Sequence, residues 1–306
     1  MPLIIGTVRN QRAATALATT LSDNINFGFR AHALHLDVYA LKNTTTARSL
    51  LLQVQKLSQV RINTVNGQPE STIDGQDLYD FQPSALGFTP FTTVLTAVDN
   101  DPQIFGMYYP LSPFPDDPTE PFGLAPGLGT QIDMVFIADG TNTFDNYTYD
   151  ITVEGLTDAP TFGWTRFVRD AQTGVVANQV NTKVYGKRFL GAMNFMTTSL
   201  DDLAAAAAID VTTIRTQSVL ESSNVILGPA RPLRSGAGLY LPQVTASPPV
   251  VLDNGSHFQD FGVNNRGTPA AGGGGLGFDI SGKGTIELQT IAGAADAYRT
   301  YPTTLI

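Results

Sequence analysis

The sequence predicts an all-β protein made of two copies of one domain. Three observations carry this reading: apolar–polar alternation of period two recurs along the 306 residues, helix signals are few and short, and the second half of the chain echoes the first at a nearly constant spacing.

Alternation marks strands at Asn26–Phe29, Leu34–Val38, Val60–Asn63, Ile132–Met134 and Ile286–Leu288. Between residues 29 and 34 the apolar positions change from odd to even, which calls for a β-bulge or sharp bend. Helix signals are confined to Ala47–Leu57, Gly75–Phe81 and Leu200–Ile209, the last with Ser199 as N-cap and Asp201 and Asp202 in its first turn.

The repeat emerges when the second half is laid over the first. Phe27-Gly28-Phe29-Arg30 through Val38 falls near Tyr185-Gly186-Lys187-Arg188 through Phe195, about 157 residues on. Leu50 falls on the alanine run at Ala204, Val60 on Ile214 and Ile132 on Ile286, each 154 residues on. A period this long means duplicated domains and not a solenoid of short repeats. Turn residues cluster at Gly155–Pro160, the expected junction. The expected division is an N-terminal arm over residues 1–24, a first domain over 25–156 and a second over 163–306.

Each copy also carries a long Pro- or Gly-rich stretch before its final strands, Asp99–Gly129 with seven prolines and Gly228–Gly277. Both read as irregular loops, expected at one end of the domains and away from the N-terminus.

Composition narrows the chemistry. With 42% apolar and only 15% charged residues, the polar surface must come largely from Thr, Asn, Gln, Ser and Asp, which suits strands and turns. The absence of cysteine excludes disulfides, thiolate metal sites and cysteine nucleophiles. The first 21 residues lack the basic segment and apolar core of a signal peptide, and no stretch approaches the ~20 apolar residues of a membrane-spanning helix.

The net charge of −9 is unevenly spread. Residues 1–61 hold seven bases against two acids, whereas residues 62–165 hold fifteen acids and no Lys or Arg. The acidic stretch is unsuited to nucleic acid phosphates.

Motifs that could carry catalysis are weak. Gly272–Gly277 satisfies G-x-G-x-x-G but lacks the strand before it and the helix after it, so it reads as a flexible loop. Gly277–Lys283 begins like a phosphate-binding loop, yet Gly284 stands where the magnesium-binding hydroxyl should be. His32 and His35, three apart in a strand, should face opposite sides, and only His257 remains to complete a metal site. Only five of the 27 acids are Glu, and the Asp residues sit in turn contexts such as Asp99-Asn100-Asp101-Pro102, which favours structural turns over a glycosidase carboxylate pair. No catalytic, cofactor-binding or metal-ligating residues are expected.

One local run goes further. Leu57–Ile62 leads into Asn66-Gly67, a natural type I′ hairpin turn, then Ser71–Ile73 and Gly75-Gln76-Asp77-Leu78. This succession of strand, Gly-containing turn, short strand and short helix resembles the first barrel of the double jelly-roll major capsid proteins of tailless, membrane-containing icosahedral bacteriophages of the corticovirus and tectivirus type. The resemblance covers most of the chain as architecture. It implies two tandem eight-stranded jelly-roll barrels with short helices and long apical loops, no cofactor and no enzymatic activity. It also implies a homotrimer that packs as a pseudo-hexagonal capsomer against neighbouring capsomers and minor capsid proteins, in a virion shell assembled in the host cytoplasm. Direct contact with nucleic acid is not expected.

Where such a shell encloses a lipid membrane, Arg9 and Arg12, with no acid before Asp23, become candidate inner-face contacts of the N-terminal arm. The competing reading is a β-sandwich carbohydrate- or receptor-binding viral surface protein, for which exposed aromatic platforms would be the sign.

Overall fold

The computed structural model describes residues 3–15, 19–42, 54, 56–64, 68–81, 102–112, 119–137, 144–157, 161–172, 180–185, 188–196, 209–217, 222–225, 256–260, 278–279, 285–292 and 298–305. The helices expected at Ala47–Leu57 and Leu200–Ile209, and the glycine run at Gly272–Gly277, lie largely or wholly outside these residues. The chain divides into two compact units, Met1–Thr165 and Arg166–Ile306.

The first unit contains β1 (Leu3–Thr15), β2 (Thr19–Asn26), β3 (Arg30–Lys42), β4 (Leu57–Thr64), β5 (Gln68–Asp74), helix α1 (Gly75–Phe81), β6 (Pro102–Pro110), β7 (Gly129–Phe136) and β8 (Phe144–Leu156). Its strands form two antiparallel four-stranded sheets, ordered β1-β8-β3-β6 and β2-β7-β4-β5. That is the two-Greek-key order of a jelly roll.

Alternate residues of each strand face the space between the sheets. Leu34, Leu36, Val38 and Ala40 of β3, Tyr147, Tyr149, Ile151 and Val153 of β8, and Val60 and Ile62 of β4 are buried. Aromatic rings cross the interior: Phe136 of β7 lies 5.5 Å from Tyr147 and 6.0 Å from Tyr149 of β8, centroid to centroid. Between the sheets the buried Tyr109 hydroxyl of β6 and the Ser71 hydroxyl of β5 form a hydrogen bond of 2.6 Å. Burial holds the Tyr109 phenol protonated well above its ordinary range.

After β9 (Thr165–Phe167), which starts at the last residue of the first unit, the second unit contains β10 (Asp170–Gln172), β11 (Val180–Tyr185), β12 (Arg188–Met196), β13 (Ile209–Gln217), β14 (Ser222–Val225), β15 (Ser256–Asp260), β16 (Phe278–Asp279), β17 (Thr285–Ala292) and β18 (Tyr298–Leu305). Its sheets run β10-β18-β12-β15, with β9 on β18 and β16 on β12, and β11-β17-β13-β14. With β9 and β16 set aside, both units have the same strand order.

The repeat holds at the level of register. Ile62 pairs with Ile132 and Thr216 with Ile286, so both partners move by 154. A register shift falls between Leu57 and Gln59 in the first unit and between Val211 and Thr213 in the second, again 154 apart. In β3 the shift lies between Ala31 and Ala33, and in β12 between Phe189 and Gly191, 158 residues on. His32 is the extra residue of the first of these bulges, where the apolar parity changes in the sequence.

Several expectations change. Residues 3–15 and 19–26 are not an arm: they are β1 and β2, paired along their length with β8 and β7. Their polarity hid them, since β2 is mostly Thr, Ser, Asn and Asp. The stretch Asp99–Gly129 is not wholly irregular, because β6 occupies its first third with prolines at its two ends, as an edge strand allows. Its described later part, residues 119–129, does not lie away from the N-terminus. Leu124 bridges Ala31, and Ala31 and Ile4 both pair with Gly155, so this loop and the start of β1 share one end of the unit. The second long stretch, Gly228–Gly277, likewise contains a strand, β15.

The segment after β8 also belongs to the first unit. The Phe162 amide donates to Pro121 O, the Gly123 amide to Gly163 O and the Thr165 amide to Leu111 O, at 2.8, 2.8 and 2.9 Å. The turn residues Asn66 and Gly67 lie outside the described residues, but the strands they join pair antiparallel with Thr64 opposite Gln68.

Gly123 carries a positive φ of 137°, and a Cβ there would run into the Ala31 carbonyl oxygen. Gly127, at φ 76°, faces open space. Gly123→Ala is expected to cost the first unit ~2 kcal/mol or more, through strain and collision together, and Gly127→Ala only about 1 kcal/mol. Urea denaturation of the two variants checks the ranking.

Candidate functional site

Two clusters of polar side chains stand out in the first unit, one where the two sheets meet and one on the outer face of the first sheet. The first is centred on Asp23. Leu21, Asp23, Ile25 and Phe27 share one parity, so the strand carries the Asp23 carboxylate inward, where it is fully buried. Arg9 Nε and Arg12 Nη1 both pair with Asp23 Oδ1. Its other oxygen accepts a hydrogen bond of 2.7 Å from the Tyr149 hydroxyl of β8.

A regular strand would turn residues three apart to opposite faces. Here β1 shifts register between Thr7 and Arg9 and again between Arg9 and Arg12, with Gln11 at a φ of 50°, so both guanidiniums reach the same carboxylate. A buried carboxylate requires such partners, because an unpaired charge between the sheets would cost several kcal/mol. Burial, then the hydrogen bond to Asp23 and the Asp23 charge, hold the Tyr149 phenol protonated well above its ordinary range.

Arg9 and Arg12 are thus brought together, but as structural partners of Asp23 and not on a free arm. Their side chains stay 42% and 32% exposed. The inward parity of Asp23 was the signal available in the sequence; the bulge that redirects Arg12 was not.

The second cluster lies on the solvent side of β3 and β8. His35 Nε2 is 3.2 Å from Glu154 Oε2, and its ring meets Tyr108 edge-on at 5.1 Å. Asp37, Tyr39 and Asp150 continue the row, and the Gln11 amide of β1 donates to Asp150. Burial pushes the Asp37 carboxyl up, His35 opposes that, and the Asp150 charge adds to it. His32, the bulged residue of β3, is fully buried, whereas the His35 side chain is 41% exposed. Among the described residues no three His, Asp or Glu side chains are placed to hold a metal ion.

No protein-family profile and no characterised protein matches the sequence. Solved structures do match in fold. The major capsid protein of Sulfolobus turreted icosahedral virus superposes with a TM-score of 0.71 at 10% identity, over 100% of this chain and 97% of that one. VP54 of PBCV-1, in a structure fitted into a reconstruction of the virophage Sputnik, gives 0.59 at 9% identity, over 99% and 94%. The major capsid protein P2 of bacteriophage PM2 gives 0.55 at 12% identity, over 100% and 98%. The chain has the double jelly-roll fold of viral major capsid proteins.

Two outcomes follow from the clusters. Tyr149→Phe is expected to lower stability by about 1.5 kcal/mol, the loss of a hydrogen bond to a charged group, in urea denaturation at neutral pH. The second concerns pH. A carboxyl whose folded pKa lies above its unfolded one binds its proton more tightly when folded, so its stabilising contribution grows as pH falls and is absent above the folded pKa. Asp37→Asn is therefore expected to raise the thermal midpoint at pH 7, with an advantage that shrinks as pH falls through the carboxylate range. Midpoints measured between pH 7 and pH 3 test this. A less stable variant at pH 7 would mean that attraction to His35 outweighs desolvation.

Proposed function

We propose that this chain is a major capsid protein that self-assembles into trimeric, pseudo-hexagonal capsomers of an icosahedral virus shell. The observation that carries the reading is the end-to-end fold match to viral major capsid proteins. Two units of like strand order per chain support it further: three chains then present six similar units, the number a hexagonal building block needs.

On this reading the protein acts through surfaces and not through catalysis, and it resides in the virion shell after assembly in the host cytoplasm. Its partners are its own copies, neighbouring capsomers and minor capsid proteins. The single tryptophan, Trp164, is only 4% exposed and so offers no platform for a sugar ring, which counts against the carbohydrate-binding alternative.

Electron microscopy of the purified protein tests the proposal, with hexagonal trimers or closed shells expected. Monomers that bind a glycan array would replace it with the receptor-binding reading. Membrane contact through Arg9 and Arg12 is separable. Because both guanidiniums are engaged by Asp23, Arg9→Gln/Arg12→Gln is expected to leave flotation with anionic liposomes unchanged while lowering the thermal midpoint. Lost flotation would restore the membrane role.

A further inference from the structure

The Asp23 cluster sits where two strand edges come together. β1 is the outer strand of the first sheet and β2 the outer strand of the second, joined by three residues. Among the described residues β1 pairs only with β8 and β2 only with β7, so each has one side without a backbone ladder. Such an edge is a template for strand addition by another chain, and a 13-residue edge is a long one.

Three features oppose strand addition at this place. The register shifts of β1 break the flat edge that a docking strand would need. Asp23 is an inward-pointing charge on an edge strand, and a chain docked there would bury the part-exposed guanidiniums that pair with it. Arg12 Nη1 also donates to the Ser22 carbonyl of β2 at 2.7 Å, so a backbone acceptor is already taken by a side chain from β1.

The second unit manages the same position differently. In its corresponding outer strands β10 and β11, the register positions of Arg9, Arg12 and Asp23, across from Thr300, Tyr298 and Ile286, hold Asp170, Gln172 and Tyr185. Among the described residues the ion cluster accompanies β1 alone.

We propose that Arg9, Arg12 and Asp23 form an edge guard: they hold β1 against β2 so that neither accepts a strand from a second copy of this chain, and copies meet only through faces and loops. The inference does not depend on the capsid reading.

The test compares wild type with Asp23→Asn, which keeps the shape but cannot hold two guanidiniums, and with Arg12→Gln, which leaves Arg9 on Asp23 and frees the Ser22 carbonyl. Hydrogen exchange of the β1 and β2 amides is expected to rise about tenfold in Asp23→Asn, and less in Arg12→Gln. Light scattering after size exclusion should show added, concentration-dependent oligomers in both. Ile5, 67% exposed on β1, supplies the control. Adding Ile5→Lys to either variant places a charge on the edge and should suppress those oligomers.

Tyr149→Phe leaves both ion pairs in place and should form none. If Asp23→Asn does not fold, Arg12→Gln with and without Ile5→Lys decides the matter. Folded variants with the wild-type oligomer distribution, or oligomers indifferent to Ile5→Lys, would overturn the proposal.

Discussion

A sandwich of two four-stranded sheets is held across its middle by apolar burial, but its sides are open wherever the outer strand of one sheet meets the outer strand of the other. In the first unit one such side depends on a single buried carboxylate. Asp23 receives two guanidiniums from β1 and a phenol from β8, so one residue of the second sheet is fastened to two strands of the first. Coulomb attraction is stronger in this interior than in water, and the arrangement holds because every partner is present. The bulges of β1 are what let Arg9 and Arg12 meet that one charge.

The two units show what duplication retains and what it releases. The register shifts in β3 and β4 recur in β12 and β13, because a bulge changes which face of a strand meets the core and cannot be lost without turning side chains over. Arg30 opposite Leu156 has its counterpart in Arg188 opposite Leu305. The outer strands are free of that constraint, since one side of each has no ladder to keep in register. There the described residues diverge: Arg9, Arg12 and Asp23 form an ion cluster in β1 and β2, whereas Asp170, Gln172 and Tyr185 hold the corresponding register positions in β10 and β11.

The outer side of β3 and β8 carries His35, Glu154, Asp37 and Asp150 beside Tyr39 and Tyr108, a titratable and aromatic surface. The outer side of β4 and β7 is instead a ladder of amides and carboxylates: Gln131 donates to Asp133 at 2.8 Å and Gln59 to Asp74 at 3.2 Å. The two faces of one unit therefore differ in chemistry, one titratable and aromatic and the other rich in amides and carboxylates.

Much of this was legible without coordinates. The all-β class, the duplication and its spacing of 154, the bulge near residue 32 and the run of strand, strand and helix from Leu57 to Phe81 all follow from local signals: parity, turn residues and self-similarity. Those signals are strong where one face of a strand is buried and the other is wet. They failed for β1 and β2, whose polar residues read as an arm, and for β6, whose prolines read as a loop; an outer strand tolerates both compositions because half of its backbone groups need no partner. Nor could the sequence bring Arg9, Arg12, Asp23 and Tyr149 to one point. Tyr149 lies 126 residues from Asp23, and only the closing of one sheet over the other decides which distant charge a buried carboxylate will meet.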